Sequence, residues 1–291
     1  MKLSTFTHNG VTSIGLISGE RVVDIALAFP GLPREMEGLL REGSLALATL
    51  HDLELSGAVS YPLKSVRLEA PVRHPSKILA IGLNYHAHTE EVKTHGIKAP
   101  VSQLWFNKQV SSVNAPFDPI QMPRISNQLD YELELGVVIG KRCRHVMASE
   151  AAEVIAGYTI VNDVSVRDVQ LSTPTWTIGK SFDTHCPIGP WLVTTDEIPD
   201  PHNLDMKLWV NGELRQSTNT SLMINNIYQQ IEHLTRVMTL EPGDILVTGT
   251  PVGVGMGSTP PRWLKVGDVV RLEIERIGEI SHVVVEEPLS S

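Results

Sequence analysis

Three carboxylates alternate with apolar side chains in Leu129-Asp130-Tyr131-Glu132-Leu133-Glu134-Leu135-Gly136-Val137-Val138-Ile139. On a β-strand, side chains two apart point the same way about 7 Å apart. Asp130, Glu132 and Glu134 then share one face, with Tyr131, Leu133, Leu135 and Val137 on the other. A run ending Leu-Gly-Val-Val-Ile-Gly reads as a strand entering a core. Two carboxylates ~5 Å apart repel by about 3 kcal/mol at an effective dielectric of ~20, so a buried pair needs a proton, a basic partner or a cation. The strand carries no Lys or Arg, which makes a hard divalent metal a natural solution. The alternative is a half-exposed edge strand with solvated acids.

Asp163 ends the run Tyr158-Thr159-Ile160-Val161-Asn162-Asp163, 29 positions after Glu134 (163 minus 134). That is far enough for a separate strand to deliver it to the same point, although a lone Asp at a strand end also serves as a cap or turn residue. Arg167-Asp168-Val169-Gln170 and Trp176-Thr177-Ile178-Gly179-Lys180-Ser181-Phe182-Asp183 follow. Lys180 is suited to balance the carboxylates and polarise a carbonyl, or else is a surface lysine.

Ile81-Gly82-Leu83-Asn84-Tyr85-His86-Ala87-His88-Thr89-Glu90-Glu91 reads as a strand, a turn and a helix start. His88 and Glu91 fall on one helical face at i,i+3. A carboxylate beside an imidazole fixes its tautomer and raises its basicity, the requirement for activating water. His86 and Glu90 form a competing i,i+4 pair that spacing does not exclude. The pattern is not His-Glu-x-x-His, so it is not a zinc-protease helix. Gly243 to Gly257 (GDILVTGTPVGVGMG) reads as a strand opening into a Gly-rich loop. Such a loop presents N–H groups to an anion, a small carboxylate rather than a nucleotide phosphate because Gly-Lys-Ser/Thr is missing. A purely structural bend is the alternative.

The elements that must position these groups are mostly strands. Residues 2–25 read as short strands turning at Asn9-Gly10 and Ser18-Gly19, and residues 35–50 as a helix. The Pro-punctuated stretch ending Pro71-Val72-Arg73-His74-Pro75 places a boundary near 72, giving a small N-terminal domain (1–72) and a larger one (73–291). Further strands are predicted at 78–82, 103–107, 131–139, 157–163, 190–194, 205–210, 213–216, 244–248, 268–275 and 280–286. Ile224, Ile227, Ile231, Leu234 and Met238 stripe a helix over about 222–238. Strands that do not alternate regularly with helices point to an α+β fold.

With 291 residues, 42% hydrophobic and 20% charged, the chain is long enough for a sizeable core. Its net charge of −9 is interspersed, with no basic, aromatic-laced patch for nucleic acid. No apolar run approaches a membrane span or a signal peptide. Cys143 and Cys186 lie far apart, arguing for a reduced, cytoplasmic protein without a thiolate zinc site.

Taken in order, Gly82-Leu83-Asn84-Tyr85 with His88 and Glu91, Asp130-Tyr131-Glu132-Leu133-Glu134, Asn162-Asp163 with Arg167-Asp168 and Gln170, Gly179-Lys180-Ser181-Phe182-Asp183, and Thr248-Gly249-Thr250-Pro251 with Gly253-Val254-Gly255 resemble the fumarylacetoacetate hydrolase family. The likeness covers roughly residues 75–286 and includes acylpyruvate hydrolase and 2-hydroxyhepta-2,4-diene-1,7-dioate isomerase-like members. It implies an α+β β-roll of layered mixed sheets with a small N-terminal α+β domain, assembled as a homodimer. Glu132, Glu134 and Asp163 match the family's Mg²⁺ (or Mn²⁺) ligands. His88 and Glu91 match its water-activating pair on a segment that orders over the ligand, and Lys180 matches the lysine beside metal and substrate. Lys108, Arg167, Gln170, Gly249 and Thr250 match substrate-lining positions. His185, where an aromatic residue is the commoner choice, and an extended lid over 92–102 depart from the pattern where substrate choice should be decided.

The implied chemistry is hydrolytic cleavage of a carbon–carbon bond in an acylpyruvate or related 2,4-dioxo acid. Decarboxylation of an oxaloacetate-like acid, or enol–keto isomerisation, is the alternative on the same site and needs no attacking water. A metal-dependent binding protein without catalysis is the reading of another class.

Overall fold

The computed structural model describes residues 1–43, 46–47, 50, 57–93, 96 and 99–289. Among these, the strands form one twelve-stranded sheet, a five-stranded sheet and a two-stranded ribbon. Across the large sheet the order is β4 (Ser60–Pro62), β3 (Arg21–Asp24), β2 (Val11–Ser18), β1 (Lys2–His8), β14 (Cys186–Thr194), β12 (Ile155–Asn162), β11 (Leu133–Ile139), β17 (Ile245–Val247), β6 (Ile78–Gly82) and β7 (Leu104–Lys108). β5 (Arg67–Glu69) pairs with β1, and β8 (Val113–Asn114) with β14. The smaller sheet runs β16 (Glu213–Asn219), β15 (Asp205–Val210), β18 (Val269–Ile274), β19 (Gly278–Glu286) and β9 (Ile120–Met122). The ribbon joins β10 (Leu129–Asp130) to β13 (Ser165–Val166).

β11 and β12 are buried along their whole length, as expected of strands covered on both faces. On one face, Leu133, Leu135, Val137 and Ile160 pack against Met206, Leu208, Val270 and Leu272 of the smaller sheet. On the other, Val138, Val161, Ile188 and Ile245 share a core with Leu3, Ile14, Met36 and Leu39 of the N-terminal segment. The described part of the first 72 residues therefore extends the large sheet through β1 on β14, Leu3 opposite Leu192, and shares its core. The α+β layering of mixed sheets with few helices is the architecture read from the sequence.

Asn9 and Gly10 (φ 50° and 78°), and Asn211 and Gly212 (φ 52° and 80°), take the left-handed conformations of tight hairpins. The stripe helix spans Ile227–Val237 and buries Ile227, Ile231 and Leu234, each contributing roughly 1.5–3 kcal/mol. It starts later than the periodicity suggests because Asn226 caps it in a capping box with Gln229, which leaves Ile224 outside the helix. The predicted 35–50 helix appears as Met36–Arg41, and part of the remainder lies outside the described residues. Among the described residues, no helix is long and apolar enough to cross a membrane.

Candidate active site

The alternating run Leu129–Ile139, read as one strand, is broken. β10 ends at Asp130 and β11 begins at Leu133, with Tyr131 and Glu132 as a step between two sheets. Asn162 Oδ1 accepts from Glu132 N–H at 3.1 Å, and Glu132 C=O accepts from Asp163 N–H at 2.9 Å. Gln216 Oε1 takes Leu133 N–H at 2.9 Å. These bonds stitch the end of β12 to the step, bringing carboxylate oxygens of Glu132, Glu134 and Asp163 within 4.8 Å of one another, all buried.

Asp130 does not join them. Its carboxylate accepts Arg167 Nε at 2.9 Å and the N–H groups of Gly255 and Met256 at 2.7 and 3.0 Å. The alternation placed all three acids together, but the break turns Asp130 toward the Gly-rich loop.

Basic groups from outside the strand surround the triad. Lys180 Nζ lies 2.7 Å from both Glu132 and Asp163, and Arg167 Nη2 lies 2.7 Å from Glu132. Burial alone would raise the Glu132 carboxyl, yet the charges of Lys180 and Arg167 outweigh it and hold the group below the usual carboxylate range. Glu134 goes the other way. Burial, then the charges of Asp163 and Glu132, push it well above that range. Its carboxylate accepts Gly249 N–H, and among the described residues no Lys or Arg is ion-paired with it. Three converging carboxylates, one with its charge poorly met, are a donor set that fits a hard divalent cation such as Mg²⁺ or Mn²⁺.

The Gly-rich loop does hold anions, and they are the chain's own. Gly249 N–H serves Glu134, Gly253 N–H serves Glu91 at 2.9 Å, and Gly255 and Met256 serve Asp130. The reading of this loop as a cradle for a ligand carboxylate is thereby corrected. Gly257 also sits where a Cβ would come within 2.1 Å of Glu91 Oε1.

His88 and Glu91 lie on the helix His86–Val92. Nδ1 of His88 is 2.9 Å from Glu91 Oε2, and the imidazole is buried. The competing pair is not formed: His86 and Glu90 are exposed, and Glu90 pairs with Lys93. Leu83, before this helix, has φ 59°, which costs a non-glycine residue roughly 1–2 kcal/mol. The buried Asn84 side chain holds the bend, donating to Thr248 O at 2.8 Å and Asn225 O at 3.0 Å. That ties the start of the helix to the start of the Gly-rich loop.

His88, Glu132, Glu134 and Lys180 line one small cavity of about 20 Å³, together with Arg167, Gln170 and Thr250. A larger open cleft of about 800 Å³ around Arg262 and Trp263 contains none of the candidate groups, so chemistry rather than volume identifies the site.

A model of the fumarylacetoacetate (FAA) hydrolase C-terminal region matches residues 77–285. The chain belongs to the fumarylacetoacetate hydrolase family. It is 42% identical over 275 residues to an oxaloacetate tautomerase, mitochondrial, of Rattus norvegicus, covering 94% of this chain and 87% of the relative. It is 42% identical over 282 residues to a 2,4-didehydro-3-deoxy-L-rhamnonate hydrolase of a Sphingomonas species, covering 96% and 94%. The solved maleylpyruvate hydrolase of a Sphingobium species, in complex with manganese(II) and pyruvate, superposes with a TM-score of 0.83 at 35% identity, covering 99% and 100%.

Within this family site, two residues expected beside substrate hold carboxylates of the triad. Lys108 is buried, and its Nζ donates to Asp163 at 2.7 Å, to Val164 O at 3.3 Å and to the carbonyl of Lys180. All three of its donors are committed, so it positions Asp163. Gly249 holds Glu134, and a Cβ there would meet Asn84 Cβ at 2.7 Å. His185 is also absent from the cavity lining. Its Nε2 donates to Gln121 O at 2.8 Å, and Thr184 Oγ1 accepts Gln121 N–H at 3.0 Å. His185 therefore fastens β9 beside β14, and burial pushes its pKa down to about 4. The extended lid over 92–102 lies partly outside the described residues.

Sequence reasoning missed Trp176, which lines the cavity. Its signal was Gly82: a Cβ there would lie 2.6 Å from the Trp176 ring.

Proposed function

We propose that this enzyme-family member is a Mg²⁺- or Mn²⁺-dependent hydrolase that cleaves a carbon–carbon bond of an acylpyruvate or related 2,4-dioxo acid. The observation that carries this reading is that His88, held by Glu91, faces the same cavity as Glu132 and Glu134, whose carboxylates converge with that of Asp163. A cation held by the triad would supply Lewis-acid stabilisation of negative charge developing on a 2-oxo acid.

The chain's own groups account for the proton movements. Glu91 accepts from Nδ1–H of His88, an assignment made from the hydrogen bond, so Nε2 is the basic nitrogen. Nε2 takes a proton from water, whose oxygen attacks the distal carbonyl carbon. The bond from that carbon to the adjoining CH₂ breaks, leaving a carboxylic acid and an enolate of pyruvate. Lys180, with two of its three N–H donors on Glu132 and Asp163, has one left to stabilise the enolate oxygen. His88 returns its proton to the enolate carbon, completing pyruvate.

A second reading, enol–keto tautomerisation of oxaloacetate, draws support from the rat relative's name. A panel of 2,4-dioxo acids and enol oxaloacetate, assayed with Mg²⁺ or Mn²⁺, tests both. Release of pyruvate with one equivalent of carboxylic acid is the expected result. Loss of enol absorbance from oxaloacetate without cleavage of any dioxo acid would replace hydrolysis by tautomerisation. Inactivity toward the whole panel with metal bound would return the site to a non-catalytic binding role. The homodimer that the family likeness implies is a further proposal, tested by light scattering.

A further inference from the structure

The cavity has two halves. One carries the charged and hydrogen-bonding groups already described, and the other is apolar. Leu83, Val92, Val254 and Met256 form a contiguous buried cluster with Trp176 packed against it. Trp176 stacks edge-on against Phe106 with ring centroids 5.7 Å apart, and its ring occupies the space that the missing side chain of Gly82 leaves open. A 2-oxo acid bound by its charged end in the polar half must direct its remaining substituent toward this apolar wall. The open space is about 20 Å³, room for about one water. The indole therefore stands where a longer substituent has to go.

Trp176 is only partly buried and sits on a short connection with φ 62°. It is tethered nearby by Thr177 Oγ1 to Asn107 Oδ1 at 3.0 Å. None of its neighbours in this wall carries a group that the proton transfers use.

We propose that Trp176 is the specificity-determining residue of this site: its indole closes the apolar half and limits the length of the substituent that a 2-oxo acid substrate can carry. The proposal rests on the 2-oxo acid reading above and goes beyond it by assigning the substrate's size limit to one side chain. Trp176 is not a catalytic residue, because it touches no group that moves a proton.

The test is calorimetric binding of non-cleavable 2-oxo acids to the Mg²⁺- or Mn²⁺-loaded protein, with pyruvate as the short probe and 2-oxohexanoate and phenylpyruvate as long ones. Wild type should favour pyruvate. Trp176→Ala should tighten the long acids by about tenfold or more relative to pyruvate, the discrimination that one or two methylenes give in an apolar pocket. Trp176→Phe should fall between and carries the test if the alanine variant does not fold. Equal shifts for short and long acids, or no shift, would overturn the size limit while leaving 2-oxo acid binding intact. Failure of wild type to bind any of the three would instead overturn the 2-oxo acid reading and the size limit with it.

Discussion

Asp130 and Arg167 form a fully buried ion pair, Oδ2 to Nε 2.9 Å. Gly255 N–H donates to the other Asp130 oxygen and Met256 N–H to Oδ2, while Arg167 continues to Glu132 and to Gln170 Oε1 at 2.9 Å. One carboxylate outside the metal triad thus links the Gly-rich loop to a member of that triad.

Removing Asp130 should therefore be felt in stability first. Breaking a buried pair leaves the partner's charge uncompensated and costs ~3–5 kcal/mol. Asp130→Ala is expected to lose about that much in denaturant unfolding and to weaken Mg²⁺ binding through a displaced Glu132. Asp130→Asn, which keeps an acceptor for the loop, should lose less. A loss below about 1 kcal/mol for Asp130→Ala would match an exposed pair and contradict the buried linkage.

The acidic triad yields a pH-dependent expectation. Glu134 is held above its ordinary value, so without metal it keeps a proton where a free carboxylate has lost it. A cation must displace that proton, so affinity should rise with pH over that range and binding should release protons. The folding sign follows: a raised carboxyl contributes fully below its unfolded value and loses that contribution as pH rises through its folded value. Calorimetry of Mn²⁺ binding in buffers of different ionisation enthalpy reads the proton count. Glu134→Gln should abolish the release and, like Glu132→Gln and Asp163→Asn, weaken the metal. Unchanged affinity in all three variants would remove the triad from consideration.

How much of this site the sequence discloses depends on the range of the interactions. Glu132, Glu134 and Asp163 stand out because residue type and local alternation suffice to suggest a shared charge problem. The separate fate of Asp130 does not, because the break before Leu133 is imposed by Asn162 and Gln216, distant in the chain. Lys108 reads as a substrate lysine until its partners, Asp163 and the carbonyl of Lys180, are seen behind the cavity. The Gly-rich loop shows its N–H groups in the sequence but not which anions they meet. The edge strands Ser60–Pro62 and Ile120–Met122 were missed because three-residue strands leave no periodicity to read. Likewise, no local signal shows that β1 adds to β14.

The His88–Glu91 geometry separates base catalysis from mere proximity. If hydrolysis is the reaction, His88→Ala should lower turnover by roughly 10²–10⁴-fold with little change in metal affinity, since His88 is not in the triad. Glu91→Gln should lower it less, because the imidazole remains. His86→Ala should be close to wild type, as that side chain is exposed. Steady-state rates of pyruvate release decide it, and survival of hydrolysis in His88→Ala would refute the base assignment.

Two buried imidazoles outside the cavity set the response to acid. Burial pushes His282 down to about 3 and His185 to about 4, against an unfolded value of about 6.5. A depressed pKa contributes stability that is present above the unfolded value and lost as pH falls through the folded one. Below about pH 6.5 the unfolded chain binds protons that these histidines refuse in the fold. Each should then cost on the order of 1.4 kcal/mol per pH unit until its own folded value is reached. His282 is the cleaner probe, because His185 also fastens β9 through Gln121. His282→Leu keeps an apolar side chain of similar bulk at the site without a titrating group. Urea unfolding from about pH 7 to about pH 4 should show a shallower decline for His282→Leu than for wild type. Parallel declines would mean that His282 is not shielded from protons in the fold, and that other groups govern the acid limb.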